Sequence, residues 1–236
     1  MNLSTPATGA PLPHWNPPPC PKRSPMPGCW CRLEPLTVDH ATELYEAACA
    51  DTAGHSWTYL PYGPFRSQAE YTAWIAERAD GSDPLFFAIV DIPTGRALGV
   101  ASYLRIDPVN GVIEVGHLYF SPALQGTTAA TEAMYLMMRH VFDLGYRRYE
   151  WKCDSLNAPS RRAALRLGFQ FEGIFRQAIV VKGRNRDTAW FSVIDGEWPI
   201  LRARFERWLS RKNFDAQGQQ LCPLSEIVPT SATQAR

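Results

Sequence analysis

Two ionisable side chains and a small polar segment lie close together in the middle of this chain. Glu114 and His117 belong to the apolar run VIEVGHLYF, and the segment QGTTAA, residues 125–130, follows shortly after it. Carboxylates and imidazoles are among the side chains that most often transfer protons in catalysis. A polar loop at the start of a helix is suited to bind an anion. Proton transfer and phosphate binding are therefore the two kinds of chemistry that this stretch could support.

The phosphate interpretation depends on whether QGTTAA begins a helix. The first amides of a helix lack internal acceptors, and the helix dipole is positive at this end. Gly126 permits a close approach of the backbone, and Thr127 and Thr128 add hydroxyl donors. The segment has neither a G-x-G-x-x-G pattern nor a Walker lysine, so its motif content is weak.

A buried helix without a ligand explains the same residues. The residues after the loop predict an apolar face at helical spacing and a polar stripe of Glu132, Arg139 and Asp143 on the other side. The apolar members are Met134, Met137, Val141 and Leu144. This stretch alone leaves both interpretations open.

Strand and helix patterns surround the stretch. Three apolar runs joined by short turns, residues 84–91, 97–106 and 112–120, predict an antiparallel meander. The helix after the loop leads to a further strand at 147–154, and such a crossover makes its two strands parallel. A helix capped by Asn157 and a hairpin around KGRNRD follow. The predicted fold class is α+β, a mixed α/β arrangement with a mostly antiparallel central sheet.

Composition divides the chain into three parts. Residues 1–28 are rich in proline, which removes amide donors and disfavours helix, so they predict an N-terminal arm outside the core. Residues 29–214 carry the periodic patterns of one domain. From residue 215 the periodicity is lost, which predicts a C-terminal tail over 215–236 in which Leu221, Leu224 and Ile227 are available for docking.

Charge and cysteine usage narrow the classes of protein. The chain has 24 Lys and Arg against 23 Asp and Glu, so its overall charge does not favour nucleic-acid or membrane binding. No apolar run approaches the length of a membrane span, and no secretory signal is evident. The six cysteines lack the spacing of a disulfide framework or a zinc site. We therefore expect a cytoplasmic protein without a metal.

The residues from the strand IEVGHLYFSP through QGTTAA and YEWKCD to NAPSRRAALRLGF resemble the GCN5-related N-acetyltransferases (GNAT), in particular their RimJ/RimL-like branch. The resemblance covers roughly residues 31–194 and is most specific over 114–169. It implies an acyl-CoA N-acyltransferase fold, acetyl-CoA as co-substrate, and direct attack by an amine acceptor in a ternary complex. Whether the protein forms a homodimer stays open.

The resemblance also implies where acetyl-CoA is held. The end of the strand before the loop and Asn157 would bind the pantetheine, and the loop would bind the pyrophosphate. Thr128 stands where the family's second glycine is expected, and a threonine forced to positive φ there would cost about 1 kcal/mol or more. The implied cofactor residues are Phe120, Ser121, Gln125, Gly126, Thr127, Thr128, Ala129, Ala130, Asn157 and Arg161.

Two candidates for the catalytic base stay open, and so does catalysis by positioning and desolvation alone, without a base. Glu114 matches the family's habit, whereas His117 has the side chain better matched to neutral pH. Strict alternation puts them on opposite faces of the strand unless a β-bulge, expected at Gly116 and His117, re-aims one of them. The tyrosine that many relatives use as the acid is replaced by Ala164, and the pattern N-x-x-S implies that Ser160 lies near the sulfur instead.

The acceptor site is predicted in the aromatic loop HSWTYLPYGPF. Trp57 and Tyr59 are the candidate residues, because aromatic side chains with polar tips can line an apolar slot. Docking of this loop to the core is the alternative. The sequence therefore predicts an N-acetyltransferase that acts on a primary amine of a small molecule or of a protein or peptide N-terminus. A non-catalytic protein of the same fold that binds CoA or a partner is the other interpretation.

Overall fold

A computed structural model describes residues 6–227 of the chain. The outer ends of the predicted arm and tail, residues 1–5 and 228–236, lie outside the described residues. One eight-stranded sheet runs through the described part, in the order β1-β2-β3-β4-β5-β6-β8-β7. The strands are β1 Met26–Pro27, β2 Cys31–Pro35, β3 Leu85–Asp91, β4 Ala97–Asp107, β5 Val112–Phe120, β6 Arg148–Asp154, β7 Gln170–Val181 and β8 Arg184–Ile194.

Five α-helices cover the two faces of this sheet in the described part of the chain. They are α1 Ala41–Cys49, α2 Gln68–Ala79, α3 Thr128–Asp143, α4 Ala158–Arg166 and α5 Trp198–Leu209. Side chains on the α1 and α2 face form one buried cluster, which includes Leu44, Ile75 and Phe86. Those facing α3, α4 and α5 form a second cluster, which includes Phe87 and Met137. Successive residues of β3 enter opposite clusters, as the two-residue period of a strand requires.

The crossover that the sequence predicts is present. Strands β5 and β6 pair in parallel through α3, and the other paired strands are antiparallel. Thr127 begins α3 as its N-cap, because its side chain accepts a hydrogen bond from the Ala130 amide at 3.1 Å. The Asn157 side chain caps α4 in the same way at the Ser160 amide. Both caps put a helix N-terminus beside the ends of β5 and β6.

Glu132 corrects one expectation about α3. The predicted polar stripe contains it, but the side chain is 4% exposed and accepts three backbone hydrogen bonds, at 2.6–2.9 Å, from consecutive amides of residues 29–31. Helical periodicity shows only which residues share a face of the helix. The backbone amides of residues 29–31, which need an acceptor, come to lie beside Glu132 only in the folded chain. Arg139 and Asp143, the other members of the stripe, are not buried.

The proline-rich arm and the tail both contact the domain. Met26 pairs with Leu33 in the sheet and is buried in the core, so the expectation that no part of residues 1–28 enters the core was wrong. Trp15 donates from Nε1 to the Val109 carbonyl at 3.0 Å. In the tail, Leu224 and Ile227 are buried. Proline disfavours helix, but it leaves side chains free to pack, and this is why composition alone did not predict these contacts.

Candidate functional site

A β-bulge interrupts β5 where the sequence predicts it. Val100 pairs with Tyr119 and Ser102 pairs with Gly116, so β5 contains one residue more than β4 between these pairs. His117 adopts a positive φ of 52° at this point. The extra residue changes the alternation of side chains, and Glu114 and His117 consequently line the same cavity rather than opposite faces.

Strands β5 and β6 separate beyond the bulge. Their parallel pairing runs from Val112 with Arg148 to Val115 with Trp151 and stops there, although both strands continue. A cavity of about 460 Å³ lies at this opening. Its wall comes from the diverging strands, from the start of α4, from Ser56 and residues 59–61, and from the β7–β8 hairpin. The bulge and the splayed strands together create a slot in an otherwise continuous sheet.

Glu114 is a buried carboxylate held between two cations. Its side chain is 4% exposed, and Oε2 lies 2.6 Å from Arg105 Nη1 and 2.9 Å from Lys152 Nζ. Lys152 also contacts Glu150 at 2.7 Å. Both ion pairs of Glu114 use Oε2, and a Cβ placed on Gly116 would lie 3.6 Å from Oε1. The second oxygen therefore lies beside the glycine of the cavity wall.

His117 is a neutral imidazole at physiological pH. Burial lowers the pKa of His117 to about 4, and the positive charges of Arg78 and Arg105 act in the same direction. Its Nδ1 lies 3.1 Å from the Tyr62 hydroxyl. Burial raises the pKa of Tyr62 as well, so this phenol keeps its proton. A side chain with so low a pKa is a weak base at neutrality.

Ser160 presents a hydroxyl to the same cavity. Its Oγ accepts a hydrogen bond from Trp151 Nε1 at 3.0 Å, so the hydroxyl proton points away from the indole. Burial raises the pKa of the neighbouring Cys153 thiol, and a hydrogen bond with the Ser160 side chain opposes that shift. The Ser160 hydroxyl thus lies between the indole of Trp151 and the thiol of Cys153 at the cavity wall.

The loop before α3 presents unpartnered amides. The N–H groups of Gly126, Thr128 and Ala129 donate to no acceptor in the described part of the chain. Gly126 has a φ of 73°, and a Cβ built on it would have no atom within 4 Å. Thr128 is the first residue of α3 and is absent from the residues with positive φ. The glycine conformation is therefore needed at Gly126, and Thr128 carries no such strain.

The match to a known family covers most of the domain. Residues 31–170 match the profile described as the acetyltransferase (GNAT) domain. The chain belongs to the GNAT family. Membership of the GNAT family and the predicted fold class are confirmed.

Several GNAT proteins are similar to this chain. A solved GCN5-related N-acetyltransferase from Brucella melitensis is 50% identical, with a TM-score of 0.89, and the match covers 91% of this chain and 98% of that one. A solved probable acetyltransferase of the GNAT family from Chromobacterium violaceum is 41% identical, with a TM-score of 0.75, over 84% of this chain and all of that one. The ribosomal-protein-serine acetyltransferase of Escherichia coli is 35% identical over 42% of this chain. The matched region spans 56% of that relative's length.

The predicted GNAT site residues fall into two groups. Phe120, Ser121 and the loop 125–130 form the first group at the end of β5, outside the cavity wall. Gln125 connects the loop to the cavity, because its Nε2 donates to the Ser56 hydroxyl at 3.0 Å. Arg161 also lies outside the wall and donates to the Ser155 carbonyl. The second group lines the cavity and comprises Glu114, His117, Asn157, Ser160 and Tyr59.

Trp57 does not lie at the cavity. Its side chain is 3% exposed and stacks on Tyr119 with ring centroids 4.0 Å apart. Tyr59, by contrast, lines the cavity and donates from its hydroxyl to the Leu156 carbonyl at 3.1 Å. The aromatic loop thus performs both functions considered for it: Trp57 fixes the loop to the core, and Tyr59 forms part of the wall.

Sequence reasoning missed three residues of the wall. Lys152 on β6 was not among the predicted site residues, but it is 8% exposed and bridges Glu114 and Glu150. Arg105 is on β4, and Trp190 on β8 lies under Lys152, with Nζ 3.7 Å from the ring centroid. The available signal was Glu150, two residues before Lys152 on β6. The strand register that brings Glu114 of β5 beside Lys152 could not be read from the sequence.

In residues 6–227, no group of three or more His, Cys, Asp or Glu side chains is arranged to hold a metal ion. Within the same residues, every helix is too short or too polar to cross a bilayer.

Proposed function

We propose that this protein is an acetyl-CoA-dependent N-acetyltransferase that acetylates a primary amine of a small molecule or of a protein or peptide N-terminus. The observation that carries the proposal is the separation of β5 from β6 beyond Val115, which opens a cavity containing Glu114 and Ser160. A carboxylate and a hydroxyl donor on two sides of one slot are suited to an acyl transfer in which an amine loses a proton and a thiolate gains one.

The residues at the end of β5 fit acetyl-CoA. The free amides of Gly126, Thr128 and Ala129 and the positive end of α3 suit its pyrophosphate. Ser121 is fully buried and its Oγ has no hydrogen-bond partner among the described residues, which leaves a polar atom for the pantetheine arm. Phe120 would lie along the same arm, and Asn157 and Arg161 would meet it from α4. When bound, acetyl-CoA supplies an activated acetyl thioester to the slot.

Glu114 is the base that we favour. Arg105 and Lys152 hold Oε2, so the carboxylate is oriented, and Oε1 is left to accept a proton from the amine directly or through a water. His117 is a weaker candidate because its pKa is lowered to about 4. We propose that it orients the aromatic loop through Tyr62 instead.

Ser160 is the acid that we favour. Because Oγ accepts from Trp151 Nε1, its own proton can turn from the Cys153 thiol to the departing sulfur. The hydroxyl thereby takes the place of the tyrosine that Ala164 replaces. Acetyl transfer in this arrangement is a direct attack in a ternary complex, with no acylated side chain.

A cytoplasmic location completes the proposal. The cysteines of the described residues are free thiols, as is usual in a reducing compartment. The nearly balanced charge gives no reason to expect nucleic acid or a membrane as partner.

Thiol release from acetyl-CoA across a panel of primary amines tests this function. We expect release with at least one amine and micromolar binding of acetyl-CoA by calorimetry, typical of such co-substrates. The matched control is Glu114→Gln, which keeps the shape of the side chain and removes the base. Tight CoA binding with no release on any amine would instead support a non-catalytic CoA-binding protein.

A further inference from the structure

Two hydrogen-bond donors in the cavity wall have no acceptor. Arg186 Nε and Trp190 Nε1 are buried, and neither donates to any atom of the described chain. Arg186 also makes no ion pair with the described residues, although it lines the cavity. Arginine and tryptophan side chains can only donate hydrogen bonds, so each needs an acceptor atom from outside this set.

Both donors come from the same side of β8. Arg186 and Trp190 are four residues apart, and Thr188 between them lines the cavity as well. Residues spaced by two on a strand project to one face, so the two donors face the same space. Phe175 stacks on Trp190 with centroids 4.4 Å apart, which keeps the indole in place.

The charges of the wall leave Arg186 without a partner. Two carboxylates line the cavity with three cations. Glu114 forms ion pairs with Arg105 and Lys152, and Lys152 also forms an ion pair with Glu150. The Asp154 carboxylate accepts from the Leu156 amide at 2.9 Å and forms no ion pair with Arg186. Arg186 therefore has no carboxylate within ion-pair distance among the described residues, although the charges of Asp154 and Glu114 act on its guanidinium from farther away, and it stays protonated.

We propose that Arg186 binds a carboxylate of the acceptor, so that the preferred acceptor is an amine that carries a carboxylate a few bonds away. The inference rests on the proposed function and narrows its substrate class. Glu114 would meet the amine and Arg186 the carboxylate of one molecule. Trp190 Nε1 supplies a second donor to the same anion. The carboxylate belongs either to a free amino acid or to an acidic residue next to a peptide N-terminus.

Pairs of acceptors that differ only in one carboxylate distinguish recognition of that carboxylate from equal binding of any primary amine. The peptides Ala-Asp-Ala-amide and Ala-Asn-Ala-amide differ only in one carboxylate, and alanine with alaninamide forms the corresponding pair for free amino acids. We expect the wild-type kcat/KM to be at least about tenfold higher for the acidic member of one pair, because a desolvated ion pair is lost with the amide. The pair that shows the preference identifies the source of the carboxylate.

Arg186→Gln and Arg184→Gln are the matched variants. Both remove one positive charge from the same hairpin, but Arg184 is exposed and lies outside the cavity wall. Arg186→Gln should abolish the preference by raising KM for the acidic acceptor alone, and Arg184→Gln should retain it. Equal rates for both members of each pair in the wild type would overturn the inference, as would an equal loss on both members in Arg186→Gln.

Calorimetry distinguishes a failure of this inference from a failure of the proposed function. The same peptides and amino acids are titrated into the full chain saturated with CoA. If no amine is acetylated but the wild type binds the acidic member and Arg186→Gln does not, carboxylate recognition stands while acetyl transfer fails. Failure of the wild type to bind either acidic ligand overturns the carboxylate site.

Discussion

At the scale of single residues, the site depends on how each ionisable group is partnered. Arg105 and Lys152 form ion pairs with the Glu114 carboxylate, whereas the charges of Arg78 and Arg105 act on a buried imidazole at His117. Burial and these positive charges disfavour the protonated form of the imidazole. The sequence left both side chains open as bases, and the low pKa of His117 leads us to favour Glu114.

Ser160→Ala is expected to lower kcat by about tenfold or more, because it removes the donor to the departing sulfur. The Kd of acetyl-CoA should change less than about threefold, since the cap of α4 comes from Asn157. Single-turnover thiol release and calorimetry measure the two quantities. Ser155→Ala, outside the cavity wall, is the control. An unchanged kcat in Ser160→Ala removes this residue from the mechanism.

The pH dependence of stability reports the environment of His117. Its pKa falls from 6.5 to about 4 on folding, so the unfolded chain binds more protons between these values. The stability that the neutral imidazole contributes is therefore full above pH 6.5 and is lost as pH falls towards 4. The total loss is roughly 3 kcal/mol.

Urea unfolding at pH 7.5 and pH 4.5 measures this loss. His117→Asn, which tolerates the positive φ at this position, should lose less stability than the wild type over the same interval. Identical pH dependence in both proteins would show that His117 is not the titrating group.

At the scale of elements, one bulge and one loop create the site. The bulge in β5 brings Glu114 and His117 to one wall, and the end of pairing with β6 opens the slot. The loop that follows needs a left-handed residue at Gly126 only. Thr128, which stands where the family's second glycine is expected, begins α3 instead.

Gly126→Val is expected to weaken acetyl-CoA binding by about tenfold, because a β-branched residue at positive φ costs about 1–2 kcal/mol and displaces the loop. Thr128→Gly is the matched control and should change the Kd less than about threefold. Calorimetry of both variants measures the effect. A large improvement of binding in Thr128→Gly would mean that the second glycine position does require positive φ in the bound state.

At the scale of the whole molecule, distant segments hold the domain together. Trp15 and Pro18 of the arm lie against Gly111 and Gly145, two turns at one end of the sheet. Glu132 connects the start of β2 to α3 over about one hundred residues of sequence. The core of the domain therefore depends on a buried carboxylate that helical periodicity assigned to the surface.

Glu132→Gln is expected to lower the free energy of unfolding by about 3 kcal/mol, since an amide cannot accept from three backbone donors as a carboxylate does and leaves buried N–H groups unpaired. Chemical denaturation measures the change. Glu77→Gln removes an ion pair whose carboxylate is 73% exposed and should change stability by less than about 1 kcal/mol. Equal effects of both substitutions would contradict a structural role for Glu132.

The sequence by itself determined the order of elements, the crossover through α3, the bulge at Gly116 and His117, and the cap at Asn157. These features depend on near neighbours: periodicity, turn residues and capping distances are properties of short segments. The grouping of Glu114, Ser160 and the loop into one predicted site came instead from the resemblance to the GNAT family.

Only the tertiary structure decided which of these residues share a cavity and with what charges. Lys152 meets Glu114, Trp57 enters the core, and Arg186 remains unpaired because strands distant in sequence lie side by side in a particular register. Register and burial arise from contacts between segments far apart in the chain, and no local pattern contains them. The fold was therefore readable from the sequence, whereas the electrostatics of the cavity depended on the packing of the sheet.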